Sequence, residues 1–298
     1  MKNVQSSFYI LLAAVLWGTT GTARSFAPES AHPLAIGAVR LAIGGGILLL
    51  FASLRGNFSL KNWPFLYTIL ASLTMALFQP LFFSAVSLAG VAIGTVVAIG
   101  SAPLFAGLIE WLLLRKAPHI QWWIATGLSI IGCLFIFVTR ETVQVNPVGL
   151  LLALGAGFSF ASYTLINRKL VTGQSTLLTV AIIFSLAALL LFPFMFFFDM
   201  SWMKTPQGLG VSLHLGIVAT GIAYLLFTRG LIHVSPSTAV TLSLAEPLTA
   251  TLLGVFVLKE TLILSSWIGI GLLLTGLGIL LWSQKDTTNK RLEKKKAY

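Results

Sequence analysis

The sequence predicts an all-α integral membrane protein, ten transmembrane helices arranged as two inverted five-helix repeats. Three observations predict it. Apolar residues make up 57% of the 298-residue chain and charged residues only 9%, against roughly 25% charged in a soluble domain. The apolar residues gather into ten runs, each close to the about 20 residues that a bilayer core requires. A shift of 144 positions aligns Pro103 with Pro247, Leu104 with Leu248, Trp123 with Trp267, Gly127 with Gly271 and Gly132 with Gly276, without a gap.

The runs of the first half extend near Ser7 to Ala23, Pro33 to Ser53, Pro64 to Val86, Ala92 to Leu114 and Gln121 to Thr139. Those of the second half extend near Pro147 to Asn167, Leu177 to Phe198, Gly208 to Leu231, Thr238 to Leu258 and Ser265 to Trp282. The first is read as a span and not a cleaved leader, because similar stretches follow it throughout. Porin-like strands would alternate apolar and polar residues, whereas Ile47 to Phe51 and Gly271 to Trp282 are continuously apolar. The expected units are 7–139 and 147–283, followed by a basic tail, 284–298.

Composition excludes several classes. So few charged side chains cannot clothe a soluble fold, and the apolar fraction is too high for disorder. The formal charge of +11 points to loops and not to nucleic acid, since six of the 19 basic residues fall in the last 14 positions and most others lie between apolar runs. With ten spans both termini share a side. Lys2, Arg55, Lys61, Arg115, Lys116, Arg168, Lys169, Arg229 and the tail lysines collect there, against Arg24, Arg140, Lys204 and Lys259 opposite. The positive-inside rule then places both termini in the cytoplasm, in a plasma or inner membrane. Cys133 has no partner for a disulfide within the chain. Neither HExxH, paired cysteines, a phosphate-cradling glycine loop nor GxSxG occurs, so no cofactor, metal site or enzyme is expected.

A five-helix unit begins and ends on opposite membrane faces, so its second copy must be inserted upside down. Such repeats are typical of carriers whose midplane site opens alternately to each side, and polar residues at mid-span are candidates for that site. Arg40 lies about 10 Å along the second helix from Pro33; it either snorkels to the interface or offers a bidentate guanidinium to a substrate carboxylate. Glu246, at mid-span, would be costly as a lone ion, and is therefore protonated, paired or hydrated, in structural pairing with Arg40 or with backbone amides, or in contact with a substrate amine or coupling proton. Pro247 frees a carbonyl near Ser243 and predicts a kink or unwound turn; Pro103 repeats that kink without the acid. Gln79-Pro80 and Tyr224, aligned by the repeat, add polarity near span centres, with Trp17, Thr19, Thr20 and Tyr163 as further lining. Glu110 is expected to reach toward Arg115 or the interface, and His214 to be packed or interfacial. Gly127, Gly132, Gly271, Gly276 and Gly278 serve close helix packing, or alternatively a dimer face.

The first span's Leu16-Trp17-Gly18, Arg40 before Leu41-Ala42, and Ser101-Ala102-Pro103-Leu104 resemble the drug/metabolite transporter superfamily. Leu244-Ala245-Glu246-Pro247-Leu248, ending in Leu258-Lys259-Glu260-Thr261, is similar to the second EamA-type repeat of that group. Tyr163 and Asn167-Arg168-Lys169 sit where that repeat commonly carries an aromatic residue and a basic helix end. Arg115-Lys116-Ala117 departs from the Gly-Glu often found at the end of the fourth span. The resemblance implies a ten-helix carrier that moves small metabolites such as amino acids, often outward. Its partners would be a small-molecule substrate, the lipid bilayer and a coupling proton or ion. Efflux of drugs or flipping of a lipid-linked substrate is the alternative, with an intramembrane enzyme further behind.

Overall fold

The computed structural model describes residues 2–55, 61–115, 117–137, 146–259 and 261–296. Lys116, Arg140 and Glu260 lie outside the described residues, as do the side chains of Lys2 and of the tail after Gln284. Ten helices are long and apolar enough to cross a membrane, and no strand occurs among the described residues. They are α1 (Asn3–Ser25), α2 (Pro33–Leu54), α3 (Phe65–Ala89), α4 (Ala92–Leu113), α5 (Ile120–Phe137), α6 (Pro147–Val171), α7 (Thr176–Phe197), α8 (Pro206–Leu231), α9 (Pro236–Phe256) and α10 (Leu264–Gln284).

Several start where the sequence supplies a proline in the first turn, a position that needs no backbone donor. α2 and α6 do so behind His32 and Asn146, whose side chains accept the first free amides. α8 and α9 do so behind Thr205 and Ser235 in the same way. Large apolar residues such as Leu112, Leu151, Leu189 and Phe196 stay exposed, an outer surface suited to lipid tails.

The packing partners expose the internal symmetry. α3 packs chiefly on α6, and α8 on α1; α4 packs on α6, and α9 on α1. α2 pairs with α7 and α5 with α10. Exchanging the first five helices for the last five converts each of these contacts into another, as a duplicated unit requires. Most core contacts therefore join the two halves.

The α5–α10 seam uses the glycines. A Cβ on Gly132 would stand 2.7 Å from the Gly269 carbonyl oxygen, and one on Gly276 2.6 Å from that of Ala125. These two glycines pack helices within the chain, which takes them out of any dimer face.

The prolines behave unequally. The ninth span is interrupted at Ser243–Leu244, where the Ser243 carbonyl, denied the amide of residue 247, accepts the Glu246 N–H at 2.9 Å. The unwound turn expected from Pro247 is present. α4 runs without a break through Pro103, and α3 through Pro80, so the predicted repetition of the kink is not accompanied by unwinding. One irregularity had no signal in composition: His214–Ile222 in α8 is π-helical, a form that recurs at functional sites.

Candidate functional site

A cavity of about 320 Å³ lies between the two halves, its wall including Trp17, Thr20, Arg40, Gln79, Tyr224 and Glu246. This volume lies at the lower end of the roughly 300–1,000 Å³ of small-molecule sites. The lining is one-sided. α1 contributes only residues from Trp17 onward, α3 those from Phe78 onward, and α4 those between Thr95 and Ala102. In a bundle of alternating helices these segments occupy the half remote from both termini. There Arg24 joins the wall.

Arg40 faces the cavity and does not snorkel. Its Nε donates to Thr220 Oγ1 at 2.9 Å and an Nη to the Ala219 carbonyl at 3.2 Å. Both acceptors belong to the π-helical segment, and neither is a carboxylate. Glu246 stands on the cavity wall just beyond the broken turn of α9. α1 approaches it closely because residue 18 is glycine; a Cβ there would lie 2.8 Å from the Glu246 carbonyl oxygen and 2.5 Å from the Thr249 Cβ.

Two wall residues also carry unused donors. Gln79 is 2% exposed and Trp17 4%, and neither Gln79 Nε2 nor Trp17 Nε1, both buried beneath the cavity surface, has a hydrogen-bond partner. A buried donor left unpaired costs about 1–3 kcal/mol. Pro80, beside Gln79, lies in the helix behind the lining, and Pro103 is buried in α4; Pro247 is in the wall.

Tyr163 departs from expectation. It is fully buried and one layer below the cavity, with its ring 5.9 Å from that of Tyr224 and 6.2 Å from that of Phe160. Trp17 is both lining and core, its ring 4.7 Å from Tyr224 and 5.1 Å from Phe227. Together these rings floor the cavity. Below them Asn167 Nδ2 donates to Tyr163 Oη at 3.1 Å and to Thr228 Oγ1 at 2.8 Å.

Nearer the termini, Glu110 accepts the Ser237 N–H at 3.0 Å, and Arg168 donates to the Val234 carbonyl. The structure thereby corrects the outward role expected for Glu110: its carboxylate bridges α4 to the start of α9. Thr19 points away from the cavity lining. Its hydroxyl donates to the Leu16 carbonyl, leaving a lone pair for the Nε2–H of His214 at 2.8 Å. His214 is thus packed, as expected.

Ten spans in two equivalent halves surround a mostly apolar cavity with a few polar groups in its wall. The EamA-like transporter family matches residues 5–138 and again 147–282. The chain belongs to the EamA-like transporter family. YwfM of Bacillus subtilis, an uncharacterised transporter, is 50% identical over 280 residues, covering 94% of this chain and 95% of the relative. The threonine/homoserine exporter RhtA of Escherichia coli K12 is 28% identical over 300 residues, covering 95% and 94%. A crystal structure with 21% sequence identity has the same fold, with a TM-score of 0.83 over 95% of this chain and 98% of the other. The protein is a multi-pass membrane transporter of the drug/metabolite type.

The phenylalanines of the wall, Phe78, Phe82, Phe83, Phe137 and Phe160, and Arg24 are not among the candidates the sequence singles out. Loop charge counts Arg24 only as an outer-side residue, yet it joins the lining, its guanidinium 5.2 Å from the Phe83 ring centroid. The helical spacing of Trp17, Thr20 and Arg24, positions on one face of α1, was the signal that could have found it.

Proposed function

We propose that the protein is a secondary transporter that exports small carboxylate-bearing metabolites, amino acids or related amphipathic compounds, by alternating access. The observation that carries this reading is the cavity between the halves with Arg40 and Glu246 in its wall. A cationic fork and an acid in an apolar enclosure match the carboxylate and amine of a zwitterion. The name of the relative RhtA as an exporter of threonine and homoserine supports the substrate class.

In this reading Arg40 exchanges the Ala219 carbonyl for substrate carboxylate. Gln79, Trp17 and Thr20 orient the ligand, Tyr224 forms its floor, and Tyr163 supports that floor from behind. Glu246 meets the amine or carries a coupling proton. The Asn167 and Glu110 contacts hold the terminus side shut, and must separate when the remote side closes. Both termini are assigned to the cytoplasm of a plasma or inner membrane, so the cavity faces outward.

Purified protein in liposomes, screened with labelled amino acids under imposed pH or sodium gradients, tests the proposal. Gradient-driven accumulation of at least one is expected. If none moves while a drug or lipid analogue does, the amino-acid reading falls.

A further inference from the structure

The fixed-sign groups of the cavity are unbalanced. Two guanidinium groups, Arg24 and Arg40, face a single carboxylate, Glu246, among the described lining residues. The charged groups of the wall are thus two cations, which can only donate, and one carboxylate. A neutral zwitterion has one carboxylate for these donors and leaves a guanidinium without a counter-charge. Burial in an otherwise apolar enclosure strengthens that penalty, because charges are screened less there than in water.

Arg24 and Arg40 are also committed differently. Arg40 is tied to α8 through Thr220 and Ala219. Arg24 lies near the remote end of α1 and rests on the Phe83 ring. A guanidinium stacked on an aromatic face keeps its N–H edge available for an anion. The two cations therefore provide separate anchoring points, one at the mouth and one at mid-depth.

We propose that the transported compound carries a net negative charge, with two carboxyl or equivalent acceptor groups, and that Arg24 selects for the second of them. The proposal rests on the transporter reading and narrows its substrate class. One acidic group meets Arg40, an amine meets Glu246, and the second acidic group meets Arg24. A net charge of minus one then compensates the two guanidinium groups and one carboxylate.

Glutamate and glutamine are suitable probes, since they share a skeleton and differ by one charge; lysine supplies the opposite charge. Exchange of each is measured in proteoliposomes, with substrate added on the side of the cavity mouth. The wild-type protein is expected to show a KM for glutamate about tenfold below that for glutamine, the scale of one charge-assisted hydrogen bond, and little lysine exchange. Arg24→Gln should shrink the glutamate preference to about twofold or less, while Arg24→Lys retains part of it. Raising salt should weaken glutamate exchange more than glutamine exchange in the wild-type protein, a comparison that needs no variant.

A wild-type protein that prefers glutamine or lysine overturns the proposal. So does a glutamate preference that survives in Arg24→Gln at wild-type melting temperature. Transport confined to neutral amino acids removes this inference and leaves the transporter reading intact; movement of no solute of any class removes both.

Discussion

Arg40 gains its role from where its bonds end. Its two acceptors are a hydroxyl and a main-chain carbonyl of the π-helical segment, so the guanidinium is oriented without being neutralised. A carboxylate partner in the same position would compete with any anionic ligand. Arg40→Lys keeps the charge and loses the planar fork, and is expected to lower transport kcat/KM by about tenfold; Arg40→Gln should lower it by about 10- to 100-fold. Initial rates in proteoliposomes at matched expression check both. Unchanged transport in Arg40→Gln would reduce Arg40 to a structural tether. The same logic applies to Gln79, whose amide nitrogen has no partner in the wall. Gln79→Leu removes an unsatisfied donor, so melting temperature should hold or rise while substrate affinity falls, a split that a purely structural role would not produce.

At the scale of the helix, the broken turn at Ser243–Leu244 places Glu246 at the start of a new helical segment facing the cavity. The proline rule made this break legible from Glu246-Pro247. The uninterrupted helix at Pro103 was not legible, because a proline removes one hydrogen bond but tertiary packing decides whether the helix unwinds; Pro103 is buried in packed surroundings. The π-helical stretch of α8 was invisible because its two glycines and four β-branched residues weaken a helix without specifying a wider turn, and that turn fits contacts with α2. Tyr163 was misplaced by one layer because its mid-span position gives depth and not the direction in which its face points.

Two outcomes belong to these elements. Glu246→Gln keeps size and removes charge. If Glu246 carries a coupling proton, this variant retains substrate exchange but loses accumulation driven by a pH gradient, whereas Glu246→Asp retains some accumulation. If Glu246 only pairs structurally, both variants melt lower with an unchanged pH profile. Gly18→Leu forces a side chain into the backbone of α9, where even a Cβ would stand 2.8 Å from the Glu246 carbonyl. Overpacking of this kind costs about 1–3 kcal/mol, and should lower the melting temperature and abolish transport.

The whole molecule is a pair of interlocked halves around a cavity displaced toward the half remote from the termini. Ten spans, the duplication and the family were legible because hydropathy and the 144-residue offset are properties of the chain itself. The side on which the cavity closes was not, since it depends on contacts such as Glu110 to Ser237 and Asn167 to Thr228, between residues far apart in sequence. The proposed orientation rests on loop charge alone. A cysteine introduced at Lys204 should react with an impermeant reagent from outside intact cells, and one at Lys61 only after permeabilisation; the reverse pattern would invert the assigned topology.

Alternating access through this cavity is tested most directly by thiol reactivity at its two ends. Thr95 lines the cavity in the half remote from the termini, and Ser237 is buried toward the terminus side with 4% exposure. The native Cys133, 1% exposed in α5, gives a low background. Labelling rates of Thr95→Cys and Ser237→Cys are compared with and without a saturating transported substrate, using a small impermeant maleimide on the appropriate side of the membrane. At rest, Thr95→Cys should react quickly from the remote side and Ser237→Cys slowly from the terminus side. Turnover should slow the first and speed the second. Rates at both positions that stay fixed, or change in the same direction, in protein that is actively transporting would contradict alternating access through this cavity.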